Sequence, residues 1–128
     1  MLFIVLAVYL GFGLILYFAQ SVFIYFPTPD ISVDGVSTMP LKNNDVTIKV
    51  QVVNPGRSSG VIYFGGNAEA VVRNAPVFSR LFSDHTMYLM NYRGYGGSEG
   101  RPNEYALYDD ALKLFDRVEP LHEHLSVI

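Results

Sequence analysis

Val61-Ile62-Tyr63-Phe64-Gly65-Gly66-Asn67-Ala68-Glu69 runs from an unbroken apolar stretch straight into two glycines. That is how a buried parallel strand reads where it opens into a loop. Downstream, Val71, Ala75, Phe78 and Phe82 recur at helical spacing, and Pro76 splits the segment into a turn and a helix restarting near Asn74. Thr86 to Met90 is the next strand, leading through Asn91, Tyr92 and Arg93 into the glycine-rich loop Gly94 to Gly100. A helix then begins near Asn103 with an apolar face of Tyr105, Tyr108, Leu112, Phe115 and Val118, and Pro120 ends it. Leu125 to Ile128 reads as one more buried strand. Upstream, Thr47 to Val53 alternates, with Ile48, Val50 and Val52 on one face and Lys49 and Gln51 on the other, as a half-buried strand does; Asn54 to Gly60 is the turn after it. Strand, helix, strand, helix, strand predicts an α/β fold with a parallel sheet and flanking helices.

Every charged side chain lies at or after Asp30. The residues before it are of a different kind: Leu2 to Ala19 is wholly apolar, aromatic or glycine, and the run resumes from Val22 to Phe26. A helix crossing a hydrocarbon core needs about 20 such residues. Tyr17, Phe18, Phe23, Tyr25 and Phe26 crowd its C-terminal end at headgroup depth, and Pro27 and Pro29 stop it. A cleaved signal peptide would carry a basic residue ahead of the run and small residues before the cut; no Lys or Arg precedes the run, and Tyr17 and Ala19 make a poor cleavage site. A soluble core helix would have to bury all its faces in a small domain. The expected organisation is therefore a transmembrane anchor at 1–26 in contact with membrane lipid, a linker at 27–46 with room for one weak strand, and an α/β unit at 47–128. Orientation stays open, because the nearest basic residue is Lys42.

Composition excludes several classes. The 128 residues are 50% hydrophobic and 14% aromatic, with net charge −3, which fits neither a disordered chain nor a nucleic-acid binder. The absence of cysteine excludes disulfides, zinc-thiolate and iron–sulfur sites and a cysteine nucleophile. No cofactor motif is expected either. Gly94, Gly96 and Glu99 fail G-x-G-x-x-G at its last position, and no phosphate loop ends in Lys-Ser or Lys-Thr.

Two motifs carry a resemblance. Val61 to Glu69 is similar to the loop after the third strand of α/β-hydrolases, and Asn91-Tyr92-Arg93-Gly94-Tyr95-Gly96-Gly97-Ser98-Glu99-Gly100 to the loop after their fourth. With an apolar anchor ahead of them, the chain resembles the membrane-anchored, lysophospholipase-like branch of the serine hydrolases over Thr47 to Ile128. The resemblance implies hydrolysis of esters or related acyl bonds of a small-molecule substrate. In that family the nucleophile elbow G-x-S-x-G follows the fifth strand, with an acid and a histidine later. The expectation is thus an N-terminal half, truncated before the elbow and without the triad. By the same resemblance Asn67 would supply a backbone N–H to the oxyanion hole, with Gly65 and Gly66 letting the chain approach the substrate. Many relatives have histidine-glycine where this chain has Gly65-Gly66. A strand-to-helix turn that needs glycines for geometry alone is an equal reading of the same residues.

Gly96-Gly97-Ser98-Glu99-Gly100 matches G-x-S-x-G by letters. An elbow, however, needs a strand running directly into the first glycine and a helix directly after the serine. Here Arg93, Gly94 and Tyr95 intervene and Arg101-Pro102 follows. No catalytic residue is therefore expected in the chain; Gly94, Gly96 and Ser98 are expected to structure the loop, with Arg93 bracing it through carbonyl bonds. His122, Glu123 and His124 read as a solvated turn rather than a metal site, and no metal is expected. His85 stands in the wrong chain order for a hydrolase triad. Asp109 and Asp110 are expected on the wet side of their helix. Two readings of function remain: a membrane-anchored serine hydrolase whose catalytic half lies elsewhere, or a non-catalytic membrane-tethered binding or remnant protein, the second favoured for these residues alone.

Overall fold

The computed structural model describes residues 1–128. Helix α1 (Leu2–Ile24) has no buried residue and, at about 1.5 Å per residue, is roughly 35 Å long. It is long and apolar enough to cross a membrane, a property it shares with signal sequences. It stops where Tyr25 turns extended, two residues before Pro27.

Five strands follow: β1 (Ser37–Asn43), β2 (Val46–Val53), β3 (Ser59–Phe64), β4 (His85–Met90) and β5 (His124–Val127). They form one sheet in the order β1-β2-β4-β3-β5. β3 pairs in parallel with β4 on one side and β5 on the other, whereas β1 and β2 join antiparallel. The parallel sheet expected from the alternation therefore holds for β3, β4 and β5, and a two-stranded hairpin widens it into a mixed one.

That hairpin takes up part of the 27–46 segment, where the sequence leaves room for one strand. Residues 37–43 are strand β1, turned onto β2 through Asn44 in the left-handed region at φ +53°. Leu41 and Asn43 are buried, which repays the pairing, and Pro40 is tolerated because β1 is the sheet edge.

Helix α2 (Ala75–Leu81), entered by a 3-10 turn at Val71–Asn74, covers one face of the sheet, and α3 (Glu104–Val118) covers the other. Val53, Val61, Val71, Ala75, Met87 and Leu89 fill the α2 side. Ile48, Val50, Val52, Ile62, Met90, Leu114 and Val118 fill the α3 side. β2 is accordingly covered on both faces: Gln51 is buried, its Oε1 accepting the Thr38 hydroxyl at 2.9 Å.

Helix α3 is capped as expected, Asn103 Oδ1 accepting the Ala106 N–H at 3.0 Å, but it is turned differently. Its buried stripe is Asp110, Leu114 and Val118, while Tyr105, Tyr108, Leu112 and Phe115 are exposed. Asp110 is completely buried, so the wet side assigned to it is corrected; the charge is admitted because Arg93 meets it.

Candidate active site

Parallel pairing of β3 with β4 puts the loops that follow them at the same edge of the sheet, the C-terminal ends of neighbouring strands. One crossover helix covers each face, so the two loops border the kind of crevice in which α/β proteins bind ligands. A cavity of about 280 Å3 lies there, lined by Gly65, Asn67, Tyr92, Tyr95 and Leu107 and, from the end of α1, by Ile24 and Tyr25.

The β3 loop is built tightly. Gly65 has no room for a side chain, since a Cβ would stand 2.4 Å from Val71 Cγ1. This is a packing reason for the glycine, independent of any ligand. Glu69 closes the loop on itself: its carboxylate accepts the Gly66 N–H, the Tyr63 hydroxyl at 2.8 Å and the Asn74 side-chain amide. Burial works to raise the Glu69 carboxyl, but the bonds from Tyr63, Gly66 and Asn74 outweigh it and hold the group below its ordinary value. Burial first, then the neighbouring Glu69, pushes the Tyr63 hydroxyl up to about 12, so it stays a donor. Ala68 lies at φ +61°, a strained conformation for a residue with a Cβ.

Asn67 is held by its side chain. Oδ1 accepts the Tyr95 hydroxyl at 2.9 Å and the Ala68 N–H at 3.0 Å, while Nδ2 donates to the Ile24 carbonyl at 2.6 Å. Its backbone N–H donates to no acceptor in the chain.

The β4 loop continues the sheet after β4 ends. Asn91 N–H bonds the Lys49 carbonyl, Ser98 Oγ accepts the Lys49 N–H at 2.9 Å, and Glu99 N–H bonds the Thr47 carbonyl. The Ser98 hydroxyl also donates to the Asn91 carbonyl at 3.1 Å, and Ser98 is buried. Its hydroxyl thus ties β2 to the start of the loop. Ser98 is not among the residues with positive φ, and the next helix starts only at Glu104. Gly96, at φ +53°, sits where a Cβ would fall 2.1 Å from Asn91 Oδ1.

Arg93 does not brace the loop through carbonyls. Its Nε and Nη2 donate to the two Asp110 oxygens at 2.6 and 2.8 Å, a bidentate pair that also binds Asn43 Nδ2 at 2.7 Å. The hydrogen bond to Asp110 leads in raising the Arg93 pKa. The network clamps the β4 loop to α3 and β1. A carbonyl cage is unnecessary once a buried carboxylate is within reach.

The other candidates lie elsewhere. His122 is not a solvated turn residue: Nε2 bonds the Tyr88 hydroxyl at 2.8 Å and Nδ1 faces the Arg57 carbonyl at 3.0 Å. His124 opens β5 and is exposed, and His85 pairs with exposed Asp84. Neither Ser98 nor any histidine is hydrogen-bonded to the other.

No family model matches this chain. Among solved structures it superposes on an alpha-beta hydrolase from Vibrio vulnificus at 23% identity and TM-score 0.55, covering 66% of this chain and 30% of that one. An esterase from Pyrococcus furiosus matches at 15% identity and TM-score 0.56, covering 81% and 46%. A haloalkane dehalogenase from Agrobacterium tumefaciens matches at 18% identity and TM-score 0.54, covering 75% and 33%. The chain has the α/β-hydrolase fold. It spans less than half the length of each of these α/β-hydrolases.

Within that fold the sequence reading brought together Gly65, Gly66 and Asn67 and missed what grips them. Tyr92 donates to the Gly65 carbonyl at 2.8 Å, and Tyr95, its ring edge-on to Tyr92, grips Asn67. Glu69 had a legible signal, a carboxylate three residues beyond a turn glycine, as in a capping box. The docking of the α1 end had none, because it joins residues some forty positions apart.

Proposed function

We propose that residues 1–128 are the first part of a membrane-anchored, lysophospholipase-like serine hydrolase acting on esters or related acyl bonds, with α1 as the anchor. The observation that carries this reading is the unpaired Asn67 N–H, in a clamped loop at the C-terminal end of the third strand of an α/β-hydrolase sheet. In acyl transfer the serine hydroxyl adds to the carbonyl carbon and its proton passes to histidine. The carbonyl oxygen becomes an oxyanion, and a preorganised N–H stabilises it; losing one such donor typically costs about 100- to 1,000-fold in rate. Asn67 is that donor here, and the serine, acid and histidine belong to sequence following β5. The crevice wall formed by Ile24 and Tyr25 favours a substrate with an apolar, lipid-derived acyl part.

A second reading applies to residues 1–128 by themselves: a non-catalytic, membrane-tethered unit. It is favoured by Ser98, whose hydroxyl is occupied by Lys49 and Asn91. A fluorophosphonate probe distinguishes the two. Residues 1–128 should stay unlabelled, and a longer product of the same gene should be labelled at a serine after position 128. Labelling of residues 1–128 that disappears in Ser98→Ala would overturn the assignment of Ser98 as structural, and a longer product that resists the probe would remove the hydrolase reading.

A further inference from the structure

The end of α1 does not hang free of the sheet domain. Three successive stretches of chain meet the site loops: the Ile24 carbonyl accepts from Asn67 Nδ2, the Phe26 N–H reaches the Tyr95 hydroxyl at 2.8 Å, and the Thr28 carbonyl accepts the Gly96 N–H at 2.9 Å. Tyr95 is the centre of this contact. It is 3% exposed, and its hydroxyl both accepts from Phe26 and donates to Asn67 Oδ1, so one oxygen joins the exit of the apolar helix to the β3 loop.

The loop needs such a brace. Asn67 is exposed and the following Ala68 is strained at φ +61°, a conformation that persists only where the surroundings over-determine it. Glu69 secures the loop behind Asn67, and Tyr92 secures it in front, at the Gly65 carbonyl. What remains is the Asn67 side chain, and its partners are Tyr95 and the end of α1.

We infer that Tyr95 is a positioning residue which makes the exit of the membrane-anchoring helix part of the oxyanion hole. It holds the Asn67 side chain against Ile24 and Phe26, so that the backbone N–H of the same residue keeps a fixed place in the crevice. This rests on the reading of Asn67 as an oxyanion donor. Its consequence is that the loop is set correctly only when α1 is seated, which couples the site to the membrane through the hydrogen bonds that Asn67, Tyr95 and Gly96 make to residues 24–28 rather than through a flexible tether.

The test uses the full 128-residue chain in lipid nanodiscs, with 15N in asparagine and arginine. Tyr95→Phe keeps the ring and removes only the hydroxyl. Exchange of the Asn67 side-chain amide with water should speed up about fivefold, the factor that the net worth of one hydrogen bond corresponds to. The Asn67 backbone resonance should shift as well. The Arg93 Nε resonance, which reports the Asp110 pair, should not move. Asn67 signals identical in wild type and Tyr95→Phe would overturn the inference. Should Tyr95→Phe disturb Arg93 as well, Phe26→Pro, which removes the N–H shared by the Tyr95 hydroxyl and Asn67 Oδ1 together with the phenyl ring, tests the seating of the α1 exit instead, and unchanged Asn67 signals there overturn the inference too. None of these measurements needs a nucleophile, so their failure is separate from failure of the hydrolase reading, which the fluorophosphonate probe decides.

Discussion

Asp110 is the residue on which most depends for the least visible reason. A carboxylate at 0% exposure is tolerable only with its charge paired and its oxygens bonded, and Arg93 and Asn43 do both. Removing Asp110 leaves the partly buried Arg93 guanidinium and the Asn43 amide without their partner. Asp110→Ala should therefore cost about 1–3 kcal/mol, read as a lower denaturant midpoint for the detergent-solubilised chain. Exposed Asp116, on the same helix, serves as the control: Asp116→Ala should change the midpoint little, by within about 0.5 kcal/mol. Ser98 shows the same lesson in reverse. A five-residue pattern matched a catalytic motif, yet the hydroxyl is used up in bonding Lys49 and Asn91, and its neighbour Gly96 is present because a Cβ would strike Asn91.

At the scale of elements, the β3 loop is a small acid-sensitive structure. The Glu69 carboxyl lies below its ordinary value in the folded chain, against about 4.3 for a free glutamate. A depressed carboxyl contributes stability above the unfolded value and loses it as pH falls through the folded one. Protection of the Gly66 amide from hydrogen exchange should accordingly drop as the solution is taken below about pH 4. Glu69→Gln should show weaker protection at neutral pH and a flattened acid limb; an acid limb of unchanged steepness would assign the transition to another group. The phase of α3 is the element-scale misreading. Counting apolar residues selected Tyr105, Tyr108, Leu112 and Phe115, because a tyrosine scores as apolar and an aspartate does not. The sheet instead takes Leu114 and Val118 with Asp110 in line one turn earlier, and the aromatic residues remain exposed.

For the whole molecule, the question is what α1 does. All its side chains are uncovered apart from a few partly buried positions, and none is buried, so about 35 Å of apolar helix needs either a bilayer or a partner. As an anchor it stays attached. The protein recovered from membranes should then resist alkaline carbonate extraction and show a mass that includes residues 1–26. A soluble product beginning near residue 27 would mean that the helix is a removed signal, and the bonds from Asn67 to Ile24 and from Tyr95 to Phe26 would be lost with it.

The elements that depend on local chemistry are legible from the order of residues alone. The apolar helix, the strands ending at Phe64 and Met90, the proline-opened α2, the Asn103 cap and the glycine-rich loops all follow from spacing, caps and breakers, which act within a few residues of chain. From their alternation came the α/β class. Which partners satisfy the polar groups depends on how the elements meet in space. Strand β1 exists because β2 accepts it, Asp110 is buried because Arg93 reaches it across 17 positions, and Asn67 is braced because Tyr95 and Ile24 come to it from 28 and 43 positions away. Such bonds have no periodicity to read. They are set by where the strands place their ends, and by the requirement that each buried donor or charge find a partner there.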